Sequence, residues 1–328
     1  MTGEMVARET TLLEVGQGGF PLVISEAGEK AQYKFVEFFI SRIENPNTRR
    51  AYARAAYRFL EWCHERGLEL ERIDPVRTAL YFRQLQGELA APSVKQHLAA
   101  IKHLFDFFVT EGVTAFNPAG SVKGPRYSPK HGKTPALTSE ETRRLLDSIG
   151  LETIKDIRDK AIIATLFYSW VRVNAVCTLT VADYRRQGEG RTLRFKEKRG
   201  KIHELPVHHK AVEALNLYLS RTAIDLEDKK QKKLPLFRTI DRYRNLTERP
   251  LDQSGVYRLL KARAKAAGIR TDISAHTARA TGITSYLENR GKLEQAQDIA
   301  AHADPRTTRL YDRRNVKVER SEIERVQY

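Results

Sequence analysis

Between Gly120 and Pro135 this chain can build neither a regular helix nor a central strand. Gly120, Gly124, Pro125, Pro129, Gly132 and Pro135 fall in or beside the stretch. Proline removes a backbone donor, and glycine loses the most chain entropy on ordering. Residues 121–135 therefore read as an extended linker. It divides the 328 residues into a domain at 30–120 and another at 136–328, behind an N-terminal extension over 1–29.

Charge follows the same divisions. Residues 1–29 carry five Glu against one Arg, and 30–120 carry 13 basic against 10 acidic side chains. The linker holds Lys123, Arg126, Lys130 and Lys133 with no acid, and 136–328 holds 39 basic against 26 acidic residues. The total is +16, with a pI near 9.8, so a polyanion is the expected partner. The linker cations are placed to follow a phosphate backbone as two domains clamp a duplex. Cys63 and Cys177 are too few and too distant for a disulfide framework or a zinc quartet, and read as reduced buried thiols. The acidic N-terminus does not read as a signal peptide, and no run reaches the ~18 apolar residues of a membrane span. The expectation is a soluble cytoplasmic protein with no membrane partner.

Helical periodicity fills 30–120. Asn47 is the expected cap of a helix whose Tyr52, Ala55, Ala56, Phe59 and Cys63 share a face, with Arg50, Arg54 and Arg58 opposite. Asp74-Pro75 pairs a cap with proline at the first helical position. Pro92-Ser93 opens a helix with the core stripe Val94, Leu98, Ile101, Phe105 and Phe108, and with Lys95 and Lys102 as further candidate DNA contacts. Phe35, Phe38 and Phe39 sit together upstream. Four helices with a basic face suit a DNA-gripping module; a merely solvated face explains the arginines equally well.

The second domain reads as mixed. Thr138 and Glu141 are spaced as a capping box. An apolar run, 161–168, predicts a buried helix before Arg172. A hairpin from Leu193–Phe195 to Glu204–Pro206 turns through Lys198-Arg-Gly-Lys201. Helices are expected at 209–221, 254–267, 275–289 and 293–301, and Asp304-Pro305 opens a short one carrying Tyr311. Within 254–267, Tyr257, Arg258, Lys261, Arg263 and Lys265 suit a helix inserted in or along the major groove, and most of them suit phosphate contacts equally. Lys229 to Lys233 reads as a solvated loop.

Chemistry concentrates in the last third. His276 and Arg279 form His-x-x-Arg, His302 follows 23 residues past Arg279, and Tyr311 nine residues later. A phosphodiester under attack gains charge on its non-bridging oxygens, and two guanidiniums stabilise it without a metal. A phenol of pKa ~10 must lose its proton to act as nucleophile, so Tyr311 needs a base, either His302 or His276. Zinc is not expected, since the histidines lack a third ligand at useful spacing. Taken singly, each has a plainer reading, as a salt-bridge Arg, an interior His or one of thirteen tyrosines packing a helix onto a core.

The ordered set Arg172, Lys198, His276, Arg279, His302 and Tyr311 resembles the tyrosine recombinase (phage integrase) family. The likeness is strong over 135–315 and weaker over 30–120. It implies a mostly α fold with a small β-hairpin or sheet, in which an N-terminal four-helix SAM-like core-binding domain joins a mixed α/β catalytic domain. It implies a double-stranded DNA recombination site as partner, a 3′-phosphotyrosine with a free 5′-hydroxyl, and no cofactor. Lys198 is then the general acid for the leaving oxygen, with Lys201 its competitor; Lys198 lies eight residues before Pro206, similar to the family's spacing. The resemblance further implies a tetramer assembled through exchange of the tail, Asn315 to Tyr328. Three positions depart from the pattern. Ala175 stands where Glu is frequent, Ala280 where His is frequent, and Ala301 where Gly is frequent. A type IB-like topoisomerase shares this catalytic set, and a catalytically idle DNA-binding accessory protein is the alternative of another class.

Overall fold

Proline and capping side chains punctuate the first helices. The computed structural model describes residues 19–127, 132–197, 200–314 and 324. Its contacts separate two units, 1–128 and 129–328.

In the first unit α1 (Leu22–Glu26) and α2 (Glu29–Glu37) precede a π-helical turn at Phe38–Arg42. Then come α3 (Pro46–His64), α4 (Pro75–Glu88) and α5 (Ala91–Thr110). Asn45, not Asn47, caps α3: its side chain accepts from the amides of Asn47 and Thr48, with Pro46 at the first helical position. Two candidate caps two residues apart compete, and the proline decides between them. Asp74 caps α4 as expected. Phe35, Phe38, Phe39, Phe59, Phe105 and Phe108 close the core in edge-to-face contacts. Val23 and Ile24 of α1 are also buried in it, so this part of the sequence's "extension" belongs to the core.

The second unit is built around α7 (Ile154–Ser169), where Ile157 and the run from Ala161 to Phe167 are buried on every side. Before it lies α6 (Ser139–Asp147), opened by the complete Thr138–Glu141 capping box. The short α8 (Val173–Cys177) follows α7. Next comes an antiparallel sheet of β1 (Tyr184–Gln187), β2 (Gly190–Lys196) and β3 (Ile202–Pro206) in sequence order. The β2–β3 register pairs Phe195 with His203 and Leu193 with Leu205, and Gly200 takes the left-handed turn position at φ 74°. After α9 (His209–Arg221), β4 (Arg238–Ile240) and β5 (Leu246–Pro250) pair as a separate two-stranded antiparallel sheet. Four helices end the described chain: α10 (Gln253–Ala266), α11 (Ala275–Glu288), α12 (Leu293–Ile299) and α13 (Pro305–Arg309). Tyr311 lies in the turn just past α13, not within it. No helix among the described residues is long and apolar enough to cross a membrane.

Candidate active site

At the end of α7 the chain reverses on Trp170, whose φ of 55° is left-handed. A bulky side chain pays for that conformation, and packing must hold it there. Trp170 packs on Tyr286 at 5.2 Å between ring centroids and lies against Gly282 of α11. The turn points the Trp170 carbonyl inward, where it accepts from Nη1 of Arg279. Nη2 of Arg279 donates to the carbonyl of Ala300 at the end of α12. The Arg279 guanidinium is 3% exposed and fixed by two backbone oxygens from different elements. Burial, and then the charge of Arg172, push its pKa down to about 10, partly offset by Tyr311 and Glu197. It stays cationic at neutral pH.

Arg172 begins α8, two residues past Trp170. Its Nη1 donates to Oε2 of Glu197 at 2.6 Å; the arginine side chain is 44% exposed and the glutamate 4%. The other carboxylate oxygen, Oε1, is buried without a partner among the described residues. Glu197 stands at the end of β2, immediately before Lys198. Lys198 itself lies outside the described residues, whereas Lys201 is exposed.

Past α12 the backbone turns again through a left-handed residue, Ala301 at φ 47°. The turn buries His302, which is 8% exposed. Its amide donates to the Gln297 carbonyl, and its Nδ1 lies 2.9 Å from Oγ1 of Thr308, a fully buried residue on α13. Burial lowers its pKa to about 4, and the charges of Arg279 and Arg172 add to the shift, so the ring is neutral at pH 7. Tyr311 lies parallel to it, with ring centroids 5.9 Å apart at 8°. The Tyr311 amide donates to Thr308 and its carbonyl accepts from Thr284 of α11.

The structure thus brings Arg172, Arg279, His302 and Tyr311 together from four segments. His276 is exposed in the first turn of α11, one turn before Arg279. Sequence reasoning missed Glu197 and Thr308. Each is an ordinary residue type whose role comes from a contact, and neither carries a local signal.

The candidate DNA contacts divide into two groups. Arg50 and Arg54 are exposed on α3, as are Lys95 on α5 and Lys123 and Arg126 beyond it. Lys95, Leu98, Lys102, Gly124 and Arg126 line a hollow of roughly 370 Å³. Lys102 donates to the Gly120 carbonyl at 2.9 Å. Lys133 and, on α10, Arg258 are exposed, while Lys130 is outside the described residues. Others are committed elsewhere. Arg58 pairs with Glu88, and Lys261 with Asp272. Arg263, on the helix expected to meet DNA, is instead turned inward: it donates to Asp156 at 2.6 Å and Asp159 at 2.7 Å, tying α10 to α7. The expectation failed there because a count of cations on a helix does not say which face is buried.

Two family models match the chain. Residues 135–317 match the phage integrase family, and residues 34–112 match the phage integrase N-terminal SAM-like domain. The chain belongs to the phage integrase family. Among this integrase's relatives, the tyrosine recombinase XerD of Oceanobacillus iheyensis is 28% identical over 85% of the chain and 93% of its own length. The XerC recombinase of Thermodesulfovibrio yellowstonii is 29% identical over 84% of the chain and 88% of its own length. The fold is that of solved recombinases. A XerH recombinase bound to difH in a post-cleavage complex superposes with a TM-score of 0.68 at 19% identity, covering 93% of this chain and 92% of that one. A lambda integrase dimer bound to a COC′ core site gives 0.63 at 17% identity, covering 88% and 96%.

Proposed function

We propose that this integrase-family chain is a site-specific DNA recombinase that cuts and rejoins strands through a 3′-phosphotyrosine. The observation that carries the reading is the convergence of two guanidiniums, a neutral buried imidazole and Tyr311 on one point of the second unit. The XerD and XerC recombinases among its relatives, and the DNA bound by the solved recombinases that share its fold, support it.

Arg172 and Arg279 bind the non-bridging oxygens of the scissile phosphate and hold the charge that grows during attack. Arg279 is already fixed by two carbonyls, so little reorganisation accompanies the reaction. The Tyr311 oxygen attacks phosphorus and its proton passes to a base; the bond to the 5′-oxygen breaks, and Lys198 protonates that oxygen. The phosphotyrosine retains the phosphodiester's energy, so a second 5′-hydroxyl reverses the step on another strand. The first unit grips the duplex through Arg50, Arg54, Lys95, Lys123 and Arg126, which closes a two-domain clamp around it. Four protomers synapse two sites by exchanging the tail after Arg314; that tail, apart from Glu324, is outside the described residues. The setting is the nucleoid of a prokaryotic cytoplasm.

A nicked DNA substrate carrying the ends of the chain's own mobile element traps the covalent intermediate, because the leaving strand diffuses away. Wild type should give a denaturation-resistant, protease-sensitive adduct, and Tyr311→Phe should bind the DNA but give none. Arg172→Ala and Arg279→Ala should each lower the adduct rate by about 10²-fold or more. An adduct from Tyr311→Phe would move the nucleophile elsewhere, and tight binding without any adduct would leave a DNA-binding accessory protein.

A further inference from the structure

The contact between His302 and Thr308 decides which nitrogen of the imidazole carries its proton. We propose that Thr308 is a positioning residue: its hydroxyl donates to His302 Nδ1 and fixes the ring as the Nε2–H tautomer. His302 then presents a hydrogen-bond donor to the scissile phosphate and does not accept the proton of Tyr311. The inference rests on the recombinase reading for the identity of the phosphate, but the tautomer itself does not depend on it.

Oγ1 of Thr308 and Nδ1 of His302 are 2.9 Å apart, and Thr308 is 0% exposed. Among the described residues no other hydrogen bond is made by that hydroxyl. If Nδ1 carried a hydrogen, the threonine would accept it and its own proton would be buried without an acceptor. That arrangement costs the desolvation of a donor, whereas the reverse leaves both atoms satisfied. A doubly protonated ring has the same defect, and it also puts a third positive charge beside Arg172 and Arg279, both of which oppose protonation of His302. The only arrangement that satisfies Thr308 is a neutral ring with a bare Nδ1 and a proton on Nε2. Nε2 has no partner among the described residues, so its N–H is free for a ligand oxygen. The backbone reinforces the arrangement: the Tyr311 amide donates to the Thr308 carbonyl, so one residue anchors both the histidine and the tyrosine turn.

The full-length protein labelled with ¹⁵N-histidine gives the direct test. A His302→Gln sample identifies the His302 signals among those of nine histidines. At pH 7, wild type should show His302 with Nδ1 unprotonated and Nε2 protonated. Finding the Nδ1–H form, or both nitrogens protonated, overturns the proposal. Thr308→Ser keeps the hydroxyl, and Thr308→Val keeps the shape without it. On the nicked substrate, Ser should form adduct at close to the wild-type rate. Val should be about 5–10-fold slower with unchanged DNA affinity, the loss of roughly one hydrogen bond. A Val variant as fast as wild type removes the positioning role. A wild-type protein with the Nε2–H ring that forms no adduct would sink the recombinase reading and leave the tautomer assignment standing.

Discussion

The carbonyl of Trp170 and the guanidinium of Arg279 are joined across 109 residues of sequence by a hydrogen bond that only a left-handed tryptophan makes possible. In a right-handed continuation of α7 that carbonyl would run along the helix axis. Reversal at Trp170 aims it at Arg279 and leads directly into Arg172, so one strained residue sets both cations.

Gly282 of α11 is what admits the indole. A Cβ added there would lie 1.9 Å from Trp170 Cδ1 and 2.7 Å from the Phe167 carbonyl. Gly282→Ala should cost about 1–3 kcal/mol, read as a lower urea midpoint. It should also slow adduct formation more than it weakens DNA binding, because the displaced carbonyl no longer fixes Arg279.

Ala301 carries a backbone conformation, φ 47°, that its Cβ disfavours. Glycine is frequent at this place in the family, and the strain gives the reason. Ala301→Gly should raise the unfolding free energy by up to about 1 kcal/mol while keeping the site's geometry. Calorimetry or urea unfolding checks it, and a clear loss of stability would contradict the strain argument.

Stability should fall as the solution is acidified from neutrality. His302 has a folded pKa of about 4 against an ordinary 6.5, so between those values the unfolded chain binds more protons. Its contribution is fully present above pH 6.5 and is lost as pH drops toward 4, amounting to at most about 3 kcal/mol. His97 and His203, also lowered by burial, act in the same direction. His302→Gln should flatten the plot of urea midpoint against pH across that window; an unchanged slope would assign the effect to the other histidines.

Arg54 and Arg263 should separate binding from folding. Exposed Arg54, if it meets a phosphate, should reduce the slope of log affinity against log salt by about 1 on mutation to Ala, with stability unchanged. Arg263→Ala should leave the slope alone and cost about 1–3 kcal/mol, because buried Asp159 then keeps only Arg158 and Asp156 loses its arginine. Equal salt slopes for wild type and Arg54→Ala would remove α3 from the DNA face.

What could be read in advance was local. Asp74 with Pro75 and Thr138 with Glu141 are short-range hydrogen-bonding and dihedral devices complete within four residues, and Gly200 takes the left-handed position of its hairpin. The helices from 209 to 309 announce themselves by periodicity, and their ends fall close to expectation. Less visible were β1 and the β4–β5 hairpin. Their strands are three to five residues long, rich in charge and without apolar alternation, and only pairing defines them.

By itself the sequence determined the helix caps at Asp74 and Thr138 and the order of Arg172, His276, Arg279, His302 and Tyr311 along the chain. Those properties depend on residue type and spacing, which are one-dimensional. Tertiary structure alone decided that Arg263 and Arg58 are tied to carboxylates while Arg54 meets none among the described residues, that Glu197 meets Arg172, and that Thr308 holds His302. Burial and a partner in space fix a side chain's charge, tautomer and direction, and the residues that supply them here are up to 109 positions away.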